Sequence, residues 1–264
     1  MNTKEVNSAN IPLIISDGCC VHFGSSPALE SVNFSINRGK KVAVVGPNGG
    51  GKSTLFNALA GLIPLTEGSL TIEGSTPEEA KGKVSYVPQK DLINWNFPLS
   101  VKQVVEMGIT TKKLSSLRNR KQVNDKIKKA LKDVGLEEKI NNNIKSLSGG
   151  QLQRVLIARA LAQDSEILLL DEAFSAVDIG AQEDIMQLIN SINLDGKTIL
   201  IATHDVNNLE EKFDEVLCLN THCCAYGDPS EVLTPEVIKE MYGSHSELFN
   251  NKSHFKTEGN NSID

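Results

Sequence analysis

The chain has 264 residues, 39% of them hydrophobic and 23% charged, enough for one ordinary domain or a domain with a subdomain. Its 27 Lys and Arg against 33 Asp and Glu give a net charge of -6, which excludes the uniformly basic surface of a duplex-nucleic-acid binder. Apolar runs such as Ile167–Leu170 are far shorter than the roughly 18 residues of a membrane span, and the patch at Ile11–Ile15 is too short for a signal-peptide core, so a soluble cytosolic chain is expected.

Residues 1–10 are polar and read as a flexible N-terminus. From Leu13 to Ile36 short β-like runs alternate with turns, notably Gly24-Ser25-Ser26-Pro27. Lys41–Val45 is an apolar strand that runs into a glycine-rich loop, and a helix follows from Lys52 to Ala60, stopped by Gly61. Ser69–Glu73 and Val84–Val87 read as strands, and Val101–Met107, Arg120–Val134 and Ser148–Gln163 as helices. Strand and helix then alternate: Ile167–Leu170, Ile179–Ile192, Thr198–Ala202, Asp205–Lys212. Two strands, Glu215–Leu219 and Cys223–Tyr226, close the pattern, and the Asn-, Ser- and Lys-rich segment 244–264 reads as a disordered tail. This alternation predicts an α/β fold with a mostly parallel sheet. Lysine and arginine are in excess between Lys102 and Lys145, which reads as a solvated helix face or as a surface near acidic lipid headgroups or an acidic partner. The five cysteines, without a C-x-x-C spacing, predict no disulfide framework. His222 beside Cys223 and Cys224 admits two readings, a soft-metal site or strand residues alternately buried and exposed.

Three motifs carry chemistry. Gly46-Pro47-Asn48-Gly49-Gly50-Gly51-Lys52-Ser53-Thr54 fits G-x-x-x-x-G-K-[ST] between a strand and a helix. Such a loop turns its N–H groups onto phosphate oxygens, and the helix start adds its positive dipole end. Lys52 would reach the β- and γ-phosphates, and Ser53 would ligate Mg2+. Second, the apolar strand Ile167–Leu170 ends in Asp171 and Glu172, one carboxylate for Mg2+ and one to orient and deprotonate water. Third, Leu147-Ser148-Gly149-Gly150-Gln151 opens a helix with a fitting N-cap and two glycines that expose backbone N–H groups. One nucleotide does not need two γ-phosphate cradles unless the second comes from another chain.

The P-loop, the LSGGQ segment and the LLLDE strand, in this order, resemble the ATP-binding subunits of ABC transporters over about residues 13–243. The resemblance implies a P-loop NTPase core with a mostly parallel sheet, an antiparallel β subdomain and a helical subdomain at about residues 92–163, in a domain spanning 11–243. By the same resemblance Gln89 is the glutamine that senses Mg2+ and the membrane partner, Asp178 the D-loop aspartate, His204 the switch histidine at the γ-phosphate, and Phe23 the aromatic that stacks on adenine. Three positions depart from the common pattern. Phe23 stands where Tyr is commoner. Gly50 replaces Ala or Ser, which predicts a loop looser by about 1 kcal/mol of backbone entropy. Ala173 follows Glu172 where Pro is frequent, which bears on the rigidity of that turn.

The resemblance further implies that two copies close head to tail over two ATP molecules, each held by one P-loop and by Ser148 and Gly150 of the other copy. Permease subunits would be separate polypeptides, with an extracytoplasmic solute-binding protein acting through them. The chain would lie on the cytoplasmic face of the plasma membrane and bind no nucleic acid. The stretch Val87–Gly108, with Trp95-Asn96-Phe97-Pro98, is similar to importers of manganese, zinc and chelated iron. Trp95 and Phe97 either anchor a partner helix or pack under their own loop. Manganese or zinc is expected before iron. The alternatives are an importer of another solute, such as a siderophore or amino acid, and a soluble ABC ATPase acting on DNA or ribosomes.

Overall fold

A computed structural model describes residues 12–89, 98–109, 117–174 and 179–243. Trp95, Phe97, Asp178 and the two terminal segments lie outside the described residues. A first sheet has the order β2-β1-β4 and is antiparallel: β1 is Ile14–Phe23, β2 Ser26–Ile36 and β4 Glu67–Ile72. The expected short runs between Leu13 and Ile36 are thus two long strands. Their hairpin is tight, with Phe23 opposite Ser26 and Gly24 at φ 63°.

The second sheet has the order β5-β6-β7-β3-β8-β9, with β3 Lys41–Val45, β5 Val84–Val87, β6 Ile167–Asp171, β7 Thr198–Thr203, β8 Glu215–Asn220 and β9 His222–Gly227. All its pairings are parallel except β8 with β9. The strands β3, β6 and β7 are apolar except at their ends, where Lys41, Asp171, Thr198 and Thr203 stand, because both faces are covered. Alternation splits each strand between two cores. Val42, Val44, Leu169 and Leu200 face a core shared with the antiparallel sheet and with α1, Lys52–Leu59. Ala43, Val45, Leu168, Leu170 and Ile201 face the other helices. Those are α2 Val101–Glu106, α3 Leu117–Asp133, α4 Gly149–Ala162, α5 Ile179–Leu194 and, at the end of the chain, α8 Pro235–Tyr242. Each fully buried aliphatic side chain contributes about 1.5–3 kcal/mol of transfer free energy.

Two short helices complete the order, α6 Leu209–Lys212 and α7 Pro229–Val232. The helix expected from Asp205 is reduced to α6 for a local reason. The Asp205 carboxylate accepts the Asn207 N–H at 2.9 Å, an Asx turn, and Asn208 then takes φ 54°. Among the described residues, no helix is long and apolar enough to cross a membrane.

Candidate functional site

Sheet order brings the chemistry together. The loop after β3 carries the phosphate motif, β6 ends in Asp171, and β7, which leads to His204, lies between them. All three ends point the same way because the strands are parallel. This is the carboxyl edge where open α/β sheets bind ligands.

The loop itself is cradled by its neighbours. Gly46 and Gly50 are buried, and a Cβ on them would approach the Leu219 carbonyl oxygen to 1.9 and 2.9 Å. The glycine at position 50 therefore answers a demand for space at the end of β8, not only a tolerance of flexibility. Gly51, at φ 93°, caps α1, and its missing Cβ would lie 2.5 Å from the Ala28 carbonyl oxygen. β2 thus passes directly beside the loop, and the hairpin tip it shares with β1 presents Phe23, 60% exposed. The turn after β8 is also tied in: the Thr221 N–H donates to the Gly50 carbonyl at 3.0 Å, and the Thr221 carbonyl accepts the Glu30 N–H at 2.8 Å.

Lys52 is buried at the first position of α1. Its ammonium donates to the carbonyls of Gly46 and Pro47, both at 2.8 Å, so the loop closes on its own cation. Burial lowers its pKa, while the charges of Glu172 and Asp171 raise it. Ser53 is exposed beside it.

Asp171 is 1% exposed, and its Oδ2 accepts the Tyr86 hydroxyl at 3.0 Å. Its Oδ1 is buried and has no hydrogen-bond partner among the described residues. An orphaned, buried carboxylate oxygen is costly unless a cation or water meets it, so the site fits a hard divalent ion such as Mg2+. Glu172 follows at φ 47°, a left-handed conformation rare for a residue with a side chain and characteristic of functional sites. Its N–H donates to the Ala202 carbonyl at 3.1 Å, and its carboxylate accepts the Gln89 amide at 2.7 Å. Ala173 behind it is buried, so packing holds the turn without a proline. His204 is exposed and shares a groove with Glu172.

The LSGGQ segment forms the start of α4. The Ser148 hydroxyl accepts the Gln151 N–H at 3.3 Å, and the Gln151 side-chain oxygen accepts the Ser148 N–H at 3.2 Å, a complete capping box. Ser148 and Gly149 are exposed, and the capping box takes up the N–H groups of Ser148 and Gln151.

Sequence reasoning missed two supports. Tyr86, whose hydroxyl holds Asp171, shows in the sequence only as a hydroxyl in an apolar strand shortly before Gln89. Arg159, on α4, donates to the Tyr86 carbonyl at 3.1 Å and so fastens that helix to the strand leading into Gln89. Nothing in its helical spacing marks that role.

A family model described as ABC transporter matches residues 29–175. The manganese transport system ATP-binding protein MntB of Halalkalibacterium halodurans is 37% identical over 241 residues, 91% of this chain and 96% of that protein. The zinc transport system ATP-binding protein TroB of Treponema pallidum is 36% identical over 236 residues, 89% of each. Among solved structures, an inward-facing ABC transporter of metal-chelate type superposes with a TM-score of 0.74 at 26% identity, covering 88% of each chain. The cbiO1 subunit of a Clostridium perfringens ABC transporter gives 0.73 at 25% identity, over 90% of this chain and 99% of that one. The chain belongs to the ABC transporter family and is an ATP-binding subunit that hydrolyses ATP.

Proposed function

We propose that this subunit powers the import of a transition metal, manganese or zinc, through separate membrane permease subunits at the cytoplasmic face of the membrane. The convergence of Lys52, Asp171, Glu172 and Gln89 at one sheet edge carries the ATPase part of the reading. The cargo rests on relatives named for manganese and zinc transport that align with about nine-tenths of the chain.

In this reading the N–H groups of residues 46–54 bind the phosphates, and Lys52 leaves its two carbonyl partners for the β- and γ-phosphates. Phe23 stacks on the adenine. Ser53, Asp171 and Gln89 hold Mg2+, which when bound neutralises phosphate charge. Glu172 orients a water and accepts its proton as the water oxygen bonds to the γ-phosphorus and the bond to ADP breaks. His204 steadies the γ-phosphate oxygens. Asp178 and Ser148–Gln151 serve the same chemistry across the interface with a second copy. Two copies then enclose two ATP molecules, and a solute-binding protein delivers the metal on the other side of the membrane.

The test is cell-associated manganese, zinc and iron, by mass spectrometry, in a deletion strain complemented with wild type or Glu172→Gln. One metal falls in the deletion and returns only with wild type. If all three stay level under metal limitation, in a strain without a second uptake route, the cargo assignment is wrong.

A further inference from the structure

The ATPase does not use the end of the chain where β9 meets α8. The pairing of β9 with β8 is irregular at Cys224; His222 and Cys224 meet on one side of the strand and Cys223 turns to the other. Cys224 packs toward the core that α8 helps to cover, and Cys223 toward the opposite one. Across the shared face α8 places Glu240. The His222 Nε2 lies 2.9 Å from Glu240 Oε1 and 3.7 Å from Cys224 Sγ. One nitrogen, one sulfur and one oxygen lie within 4.8 Å of one another.

The 3.7 Å nitrogen–sulfur separation falls within the edge of a tetrahedral shell, roughly 3.3–3.8 Å for bonds of about 2.0–2.3 Å, and the 2.9 Å nitrogen–oxygen contact is a hydrogen-bond distance that must open slightly to admit an ion. An ion pair would account for His222 and Glu240 but not for a thiol beside the imidazole. The donor set also discriminates. Hard cations take oxygen, while a mixed nitrogen, sulfur and oxygen set suits a borderline ion of the zinc class. His222 and Glu240 are about half exposed, at 46% and 51%, which leaves water access to a fourth position.

We propose that His222, Cys224 and Glu240 form a surface binding site for a borderline divalent metal such as Zn2+, with water as the fourth ligand. Binding releases the Cys224 thiol proton to solvent and leaves the thiolate as ligand. The ion would sit one residue from Thr221, whose N–H braces the phosphate loop at Gly50. The site is separate from the Mg2+ position at Asp171 and concerns binding by the chain itself, whatever the transporter carries.

The test titrates the full chain, free of nucleotide and stripped with chelator, with Zn2+ alone against a chromophoric zinc indicator. Wild type takes up one ion per chain in a class of sites that His222→Ala, Cys224→Ser and Glu240→Gln each weaken at least about tenfold. Circular dichroism and ATP-analogue binding stay at wild-type values in the three variants. Co2+ gives wild type a thiolate-to-metal absorption band that Cys224→Ser lacks. No uptake by wild type, equal uptake by all four proteins, or a band that survives Cys224→Ser overturns the proposal.

Discussion

Tyr86 shows how a single hydroxyl can govern a charged site. It donates to an Asp171 carboxylate that is almost fully buried and whose other oxygen has no partner among the described residues. Tyr86→Phe removes the hydroxyl that donates to this carboxylate, at an expected loss of about 1–3 kcal/mol in urea unfolding. The pH dependence has a definite sign. Burial first, then the charge and hydrogen bond of Asp171, hold the Tyr86 hydroxyl protonated well above the ordinary tyrosine range. A group whose pKa rises on folding stabilises the fold fully below its unfolded value near 10 and loses that contribution above it. The stability gap between wild type and Tyr86→Phe should be level around neutrality and shrink as pH climbs past about 10. A gap unchanged up to pH 11 would show that the hydroxyl does not serve Asp171.

The phosphate loop was legible residue by residue, because its chemistry is written in consecutive positions. Tyr86 was not, because its partner stands far along the chain and only strand pairing brings the two together. Gly50 was legible as a glycine, but its reason was not. The carbonyl that crowds it belongs to Leu219.

At the scale of elements, α4 seals the edge of the main sheet. The Gln163 amide donates to the Val84 carbonyl at 2.8 Å, Arg159 to that of Tyr86, and the Ser85 hydroxyl to the Ala160 carbonyl at 2.9 Å. Two carbonyls of the edge strand β5 are thereby satisfied by the helix that begins with LSGGQ, which covers the edge and joins that helix to the strand before Gln89. α2 leans on the same helix so closely that a Cβ on Gly108 would meet the Arg159 carbonyl oxygen at 1.9 Å. Gly108→Ala should therefore cost roughly 1–3 kcal/mol in a urea titration. Gly82→Ala, at a site with open space around it, should stay within about 0.5 kcal/mol of wild type. Equal midpoints for the two would mean that α2 and α4 do not pack as described. The helix starts were readable here, since Ser-x-x-Gln is a capping box by itself, and Ser100 with Gln103 repeats it at α2. The helix expected over Asp205–Lys212 forms only from Leu209, because a side-chain-to-backbone bond at Asp205 overrides its first turn.

Over the whole molecule, the alternation of strands and helices predicted a parallel sheet but not its order. The order is what matters for chemistry. Placing β7 between β3 and β6 sets His204 between the phosphate loop and the carboxylates, and placing β8 on the other side of β3 supplies the brace at Leu219 and Thr221. The two cores pack both faces of the sheet behind that edge. The capped, exposed start of α4 is the part that the proposed mechanism assigns to a second copy.

The most direct test of that half-site arrangement is the solution mass of Glu172→Gln by multi-angle light scattering, with and without MgATP. Slowed hydrolysis keeps ATP in place, so the mass should double on adding MgATP and return to the monomer value when nucleotide is removed. Ser148→Arg in the same background should stay monomeric while still binding ATP. A Glu172→Gln chain that binds MgATP yet remains a monomer at every concentration tried would contradict the shared-site mechanism.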